Sequence, residues 1–348
     1  MTGMFPQLIE KLTRHEDLTS EEAASAMTEV MGGRAAPAEL AGLLVGLAMK
    51  GERPTEIVGL ARAMRAHAVP LASRYDQVFD TCGTGGDRAG TFNISSCAAI
   101  VLAACGVRVA KHGNRSVSSQ SGSADVFEAL GVHVTARPDT VERCLAEANI
   151  GFFFAPTFHP SMRHAAAVRR ELGVRTAFNL LGPLTNPAGA TRQLVGVPRP
   201  ELTEPMARAL LLLGSERAWV VHGADGIDEI STTGYTKVSE ARQGSVNTFY
   251  VHPADAGLSR ASAEALKGAT PQDNARTIER VLAGEPSPAR DIVTLNAGAA
   301  LFIAGTVGSI REGLACAGRA LDDGRARQTL DRLIAISHLE RAAEGGVA

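Results

Sequence analysis

Aromatic side chains are scarce in this 348-residue chain: phenylalanine, tyrosine and tryptophan together make up 4% of it, and there is one tryptophan. Stacking platforms for single-stranded nucleic acid need several such rings, so that class is excluded. An excess of one charge sign is missing as well. The formal net charge is −2, from 35 Lys and Arg against 37 Asp and Glu. Proteins dedicated to nucleic acid or membrane surfaces usually carry a basic excess. No apolar run approaches the roughly 20 residues that span a bilayer; Cys97 to Val107 is among the longest. The stretch MTGMFPQLIEKLTRHED has no basic segment leading into an apolar one, so no secretory signal is expected. Five cysteines (82, 97, 105, 144 and 316) form an odd set without a CxxC pair. That excludes a disulfide frame or a zinc site and points to reduced thiols in the cytosol. Cys82 reads as a small buried filler rather than a nucleophile.

What is present is globular: 45% apolar and 21% charged residues, in a chain long enough for one large domain or two smaller ones. Residues 1 to about 72 read as helical. LTSEEAASAMTEVMGG places Thr19 three residues before Glu22, a capping-box spacing, and closes on Gly32-Gly33. APAELAGLLVGLAMKG has Pro37 near its start, Leu40, Leu43, Leu44 and Leu47 on one face, and Gly51 as a stop. PTEIVGLARAMRAHAVP runs from Thr55 as cap to Pro70 as terminator. Beyond Val78, short apolar runs (VRVA, GFFFA, AWVV) alternate with helical segments at 97–106, 122–130, 139–149 and 203–213. That alternation predicts βαβ units and a mostly parallel sheet, followed by a helix-rich C-terminal third.

The stretch VFDTCGTGGDRAGTFNISS sets three glycines within four positions, then an aspartate and a file of small polar residues, at a strand-to-helix junction. Bare backbone and helix-opening N–H groups make an anion cradle. It is neither a dinucleotide fingerprint, since Arg88 stands at the third glycine position, nor an ATP-type P-loop, since the chain has no Gly-Lys pair. A second cradle, KHGNRSVSSQSGSAD, follows the next strand with Lys111, Arg115 and several serines. Loops at the carboxyl ends of neighbouring parallel strands converge on one crevice. After AWVV, the loop HGADGIDEIS brings Asp225, Asp228 and Glu229, carboxylates suited to a Mg²⁺ that holds a pyrophosphate. The arginines of APTFHPSMRHAAAVRRELGVRTAFN include one able to hold a planar carboxylate in a bidentate pair. Spacing does not choose among them.

Taken in order, GTGGD, NISS, KHGNRSVSS, GSAD, DGIDEIS and RTAFNLLGPLTNP closely resemble the anthranilate phosphoribosyltransferase family over nearly the whole chain. The resemblance implies a pyrimidine nucleoside phosphorylase-like α/β fold. A small helical N-terminal domain (1–72, completed by mid-chain helices at about 160–182) would precede a large α/β domain (73–159 and 183–348) with a mostly parallel central sheet. It implies a homodimer formed through the helical domain, in the cytoplasm, with no nucleic-acid or membrane partner. The implied substrates are phosphoribosyl pyrophosphate (PRPP) and anthranilate, with Mg²⁺ as cofactor.

Position by position, the resemblance assigns Gly83, Gly86, Asp87 and Thr91 to PRPP, with Asn93, Ile94, Ser95 and Ser96 lining the same site. Lys111, His112, Gly113, Asn114, Arg115, Ser116, Val117, Ser118 and Ser119 would close over the ribose and phosphates, with Ser123 at the loop's end. Ser95, Asp228 and Glu229 match the metal positions, while Gly83, Asn114 and Arg169 match the anthranilate positions. Catalysis falls to Lys111, Asn114 and Arg169. Serine 96 stands where the family usually has threonine, which keeps the hydroxyl. Two other readings of the fold are a phosphorolytic enzyme acting on pyrimidine nucleosides and a non-catalytic nucleic-acid-binding member. The acidic pair and the negative net charge speak against the latter.

Overall fold

Thr19 and Glu22 behave as their spacing predicts. The Glu22 amide donates to Thr19 Oγ1 at 3.1 Å and the Thr19 amide donates to Glu22 Oε2 at 2.9 Å. This opens the second of four N-terminal helices, α1 (Met4–Thr13), α2 (Ser20–Met31), α3 (Pro37–Lys50) and α4 (Pro54–Ala66). The computed structural model describes residues 3–87, 89–116 and 120–339. Helix α4 starts before Thr55: Pro54 occupies the first helical turn and Arg53 is the N-cap, because proline's fixed φ and missing N–H suit that position. Helices α1 and α3 approach closely at two glycines. A Cβ on Gly42 would lie 2.7 Å from Ile9, and one on Gly46 3.0 Å from Leu12.

The chain then alternates strand and helix. In order come β1 (Phe79–Gly83), α5 (Ile94–Ala104), β2 (Val109–Gly113), α6 (Ser123–Ala129), α7 (Pro138–Glu147) and β3 (Ile150–Phe154). Helices α8 (Ala155–Phe158), α9 (Arg163–Leu172) and α10 (Phe178–Leu181) follow, then β4 (Arg192–Gly196), α11 (Thr203–Leu212) and β5 (Arg217–Gly223). Strands β6 (Thr236–Arg242) and β7 (Ser245–Val251) precede α12 (Pro271–Leu282), α13 (Pro288–Ala304), α14 (Ile310–Asp322) and α15 (Arg325–Ser337). The expected helix at 97–106 begins three residues earlier, at Ile94. Within the helix-rich C-terminal third, 236–251 is instead a hairpin turning at Gln243 and Gly244, whose φ values of +50° and +78° suit a tight two-residue turn.

The seven strands lie in the order β3-β2-β1-β4-β5-β6-β7, parallel from β3 to β5 and antiparallel at β6 and β7. Successive residues face opposite layers. Val195 and Val220 join a buried cluster with the N-terminal helices, α9, α10 and α11, while Leu194, Trp219 and Val221 join the α5, α6 and α12–α15 side. Chain order reverses across β1 and β4, and a crevice opens beyond the carboxyl ends of strands at such a switch point. Gly83 and Gly196 pair in register there.

Candidate active site

Both glycines at the switch point are filled by one residue. A Cβ on Gly83 would stand 2.2 Å from Asp228 Oδ2, and one on Gly196 1.6 Å from the Asp228 carbonyl oxygen. The bare strand ends thus let the loop after β5 fold across β1 and β4. Past Gly83 the chain turns through Gly85 and Gly86, at φ +66° and +81°, conformations that only glycine adopts without strain. No side chain caps α5; the Ile94 amide donates to the Phe92 carbonyl at 2.7 Å, which leaves the Ser95 and Ser96 amides as the first-turn N–H groups available at the crevice among the described residues. The buried hydroxyls of Thr84 and Ser96 have no hydrogen-bond partner among the described residues, a costly arrangement that a ligand relieves.

The second loop is held by α6. Asp125 accepts hydrogen bonds from the Ser116 and Gly122 amides at 3.0 and 2.9 Å, which explains the aspartate of GSAD. Arg115 turns outward to Asp125 (3.1 Å) and Glu128 (2.7 Å), so its charge serves the loop's own scaffold. Ser123 Oγ donates to the Asn114 carbonyl at 3.4 Å. Lys111 is buried, donates to the Thr81 carbonyl, and neighbours the buried carboxyl of Asp80. Burial raises Asp80 above the usual carboxylate range, opposed by Lys111 and by Asn186, whose Nδ2 donates to Asp80 Oδ2 at 2.8 Å. His112 Nδ1–H donates to the Gly182 carbonyl at 3.0 Å, leaving a buried Nε2 without a partner among the described residues. Burial, then the neighbouring His159, push His112 down to about 3, so its imidazole is neutral.

In the third loop, one carboxylate oxygen each from Asp87, Asp228 and Glu229 lie within 4.8 Å of one another. Burial, then Asp87, push Asp228 up to about 6. Burial and Asp228 push Glu229 well above the usual range. One buried oxygen of Glu229 has no hydrogen-bond partner among the described residues. Three hard oxygens crowding one another are what a divalent cation relieves, and an all-oxygen donor set fits Mg²⁺. Asp225 is occupied elsewhere, accepting from Ser231 Oγ at 2.8 Å and from Thr233.

All three loops line one cavity of about 400 Å³, and among the expected residues Gly83, Gly86, Asp87, Thr91, Asn93, Ser95, Ser96, Lys111 to Ser116, Ser123, Asp228 and Glu229 border it. Ile94 does not: its side chain is fully buried in the core, one helical position off the crevice face. Val117, Ser118 and Ser119 lie outside the described residues. Asn93 spends its amide on the protein, donating to the Ser121 carbonyl (3.2 Å) and accepting from Ser121 Oγ and Asn274 Nδ2 (both 3.0 Å).

A second cavity of about 640 Å³ adjoins the first, walled largely by Met64, Ala155, Pro156, Met162, Ala166 and Pro183, and shares with it Gly83, Asn114, Arg169 and Phe178. Arg169 stacks on Phe178, its guanidinium carbon 4.9 Å from the ring centre. It donates to no side chain or carbonyl among the described residues, and burial alone lowers its pKa. A half-buried cation beside an apolar slot has the chemistry to receive a carboxylate on a flat ring.

Residues 6–68 match the family model described as "Glycosyl transferase family, helical bundle domain", and residues 75–327 match "Glycosyl transferase family, a/b domain". The anthranilate phosphoribosyltransferase of Symbiobacterium thermophilum is 52% identical over 335 residues, covering 96% of this chain and 98% of its own. The chain belongs to the anthranilate phosphoribosyltransferase family. The Moorella thermoacetica member is 51% identical over 332 residues, covering 95% of this chain and 98% of its own. Among solved structures, the Thermus thermophilus anthranilate phosphoribosyltransferase aligns with a TM-score of 0.90 at 47% identity, over 95% of this chain and 99% of that one. The Saccharomyces cerevisiae enzyme in complex with PRPP and Mg aligns at 0.88 with 26% identity, over 96% and 97%.

Within this family frame, several site residues carried no signal of their own in the sequence. Asp87, assigned to PRPP by resemblance, also joins the carboxylate cluster, a contact that its place in the glycine-rich turn does not show. Phe178, beneath Arg169, and Asp80 with Asn186, beside Lys111, come from distant segments. Their motifs, RTAFN, DTCGTGGD and LTNP, were legible as blocks but not as contacts.

Proposed function

We propose that this chain transfers the 5-phosphoribosyl group of PRPP to the amine of anthranilate, giving N-(5′-phosphoribosyl)anthranilate and pyrophosphate, the second step of tryptophan synthesis from chorismate. The observation that carries this reading is Arg169, unpaired and stacked on Phe178 where the apolar cavity meets the anion cradle. Yeast family structures support both substrates, one in complex with PRPP and Mg and another in complex with 4-fluoroanthranilate.

Asp87, Asp228 and Glu229, with the Ser95 hydroxyl on the same cavity wall, would hold Mg²⁺. When bound, the ion supplies positive charge against the pyrophosphate oxygens. The first-turn N–H groups of α5 and the ammonium of Lys111 add fixed positive potential that needs no reorganisation as charge develops on the leaving group. Arg169 orients the anthranilate carboxylate, aiming the amine past Asn114 and Gly83 toward the ribose C1. There the C–N bond forms as the C1–O bond to pyrophosphate breaks, and the amine proton is released to solvent or to pyrophosphate. An aryl amine is neutral at pH 7, so attack needs no strong base. His112, neutral with an open Nε2, is suited to accept a hydrogen bond from that amine and to keep its lone pair aimed.

The same reading divides the chain into a helical unit (1–72 with about 160–182), which brings the acceptor arginine, and an α/β unit (73–159 and 183–348), which brings the sugar site. It makes the protein a homodimer. The outer side of α3 supports this by presenting Ala38, Ala48 and Met49 to solvent, Met49 at 76% exposure. It also assigns the chain to the cytoplasm, where a substrate too charged to cross a bilayer is made. No helix among the described residues is long and apolar enough to cross a membrane. The test is anthranilate fluorescence: the signal falls only with protein, PRPP and Mg²⁺ together. An unchanged signal with protein that binds PRPP would remove anthranilate as the acceptor.

A further inference from the structure

Arg175 stands in the short connection between α9, which carries Arg169, and α10, which carries Phe178. Helix α9 ends at Gly173, whose left-handed φ of +63° turns the chain back toward the sheet, and the Thr176 amide donates to Asn179 Oδ1 at 3.0 Å to brace the next turn. From there Arg175 reaches across the crevice. Its Nη2 donates to the Gly85 carbonyl at 2.9 Å, and its Nη1 lies 1.6 Å from where a Cβ on Gly86 would be. Residue 86 is therefore restricted twice, by its φ of +81° and by a guanidinium lying against it. The next residue is Asp87, a member of the carboxylate cluster. One exposed arginine thus ties the turn that presents Asp87 to the segment that presents the acceptor-binding pair.

We propose that Arg175 is a positioning residue that latches the Gly85-Gly86 turn to the acceptor segment, so that occupation of the pyrophosphate site tightens binding in the acceptor cavity. This rests on the assignment of the two cavities given above. A guanidinium on a carbonyl in the open crevice is a modest contact, since an exposed charged side chain loses rotamer freedom to make it. It gains weight when the turn itself is fixed by an anion and metal on its other side, because ordering one end of the latch lowers the cost of ordering the other. Coupling between two sites is reciprocal, so the same contact helps acceptor binding to organise the turn.

The experiment compares wild type, Arg175→Ala and Arg175→Lys by calorimetric titration. Pyrophosphate is titrated in the presence of Mg²⁺, then anthranilate with and without saturating Mg²⁺ and pyrophosphate, with thermal melting as the folding control. Arg175→Ala is expected to weaken pyrophosphate about tenfold, on the scale of a charge-assisted hydrogen bond. It should bring the factor by which pyrophosphate tightens anthranilate close to one while leaving anthranilate affinity alone unchanged. Lysine keeps a donor for one carbonyl and is expected to restore part of the pyrophosphate affinity. Wild-type pyrophosphate affinity in Arg175→Ala overturns the proposal. So does an equal loss in every titration with a lowered melting point, or a wild type in which pyrophosphate leaves anthranilate affinity unmoved. Pyrophosphate binding is read without turnover. A wild type that shows the Arg175 dependence but never consumes anthranilate would therefore overturn the catalytic assignment and leave the latch standing.

Discussion

Replacing Asp228 with asparagine is expected to stabilise the metal-free protein while removing its response to Mg²⁺. Oxygens of Asp87, Asp228 and Glu229 lie within 4.8 Å of one another. Two like charges at such a separation repel by about 3 kcal/mol at an effective dielectric constant of 20. Burial first, and the Asp87 charge after it, push Asp228 from an ordinary 3.8 up to about 6. At about 1.4 kcal/mol per pH unit, discounted because the side chain is half-buried, the ionised carboxylate opposes folding at pH 7 by roughly 1–3 kcal/mol. The folded-state pKa is raised, so between about pH 4 and 6 the folded protein binds the proton that the unfolded chain releases. Stability therefore falls as pH rises through that window, and the penalty is complete above it.

Asparagine keeps the side-chain length and an acceptor for the Gly85 amide and for the Glu229 carboxyl that bond Asp228, and it removes the charge that Asp87 repels. At roughly 2 °C per kcal/mol for a chain of this size, Asp228→Asn should melt about 2–6 °C higher than wild type in EDTA at pH 7. At pH 4.5, where the wild-type carboxyl is protonated, the gap should nearly close. Mg²⁺ at about a hundredfold excess over its dissociation constant should stabilise wild type by about 2.7 kcal/mol at pH 7 and Asp228→Asn hardly at all. Thermal unfolding followed by circular dichroism reads all four conditions. A variant that melts below wild type in EDTA at pH 7, or one that keeps the full Mg²⁺ increment, refutes the crowded-carboxylate account.

Arg169→Ala should raise the KM for anthranilate about 10- to 200-fold, the range for a lost charge-assisted pair, with the KM for PRPP within about threefold of wild type; steady-state kinetics with each substrate varied would expose an equal rise in both. Ser96→Ala removes a buried hydroxyl that lacks a partner, so the free variant should melt at or above wild type while its KM for PRPP rises. A lowered melting point would mean the hydroxyl is bonded in the free protein. His112 is pushed down to about 3 against an ordinary 6.5, so it should not appear as an inflection in the rate between pH 6 and 8. Its unfolded state binds the proton first, so stability should fall as pH drops below about 6.5. By linkage the loss from pH 7.5 to pH 5 is about 2 kcal/mol, and urea unfolding of His112→Asn should lack that part of the decline.

The parts of the site that could be read in the chain are those whose physics is local. Glycines at 83, 85 and 86 mark a turn, Thr19 and Glu22 a helix start, and Asp228-Glu229 an acidic loop, because each depends on neighbours in sequence. What could not be read depends on which strands become adjacent. Asp87 meets Asp228 only because β4 and β5 insert beside β1 in the sheet order. The charge on Arg115 looks like part of an anion cradle until α6 brings Asp125 and Glu128 against it. Choosing Arg169 from several arginines needed either a family pattern or the sight of Phe178 beneath it. The β6–β7 hairpin was missed for another reason. Its strands mix polar and apolar residues, as an edge covered on one face does, and Gln-Gly is a weaker turn signal than Asn-Gly.

The crevice keeps Arg169 apart from the carboxylates of Asp228 and Glu229, and this separation shapes the site. Three carboxylates crowd together at the switch point, while a half-buried guanidinium waits at the mouth of the apolar cavity. A salt bridge between Arg169 and Asp228 would satisfy both and would leave neither cavity with a binding determinant. Stacking on Phe178 holds Arg169 on the acceptor side, and Gly83 and Gly196 clamp Asp228 on the sheet side. Under the proposed function, the carboxylates would receive a metal-bound pyrophosphate and Arg169 a carboxylate-bearing acceptor. The stability given up in the free protein is recovered when both are bound, and an acceptor lacking the carboxylate would leave Arg169 buried and unpaired. Selectivity for an acidic aromatic amine then follows from the same separation of charge that makes the free protein less stable than its fold allows.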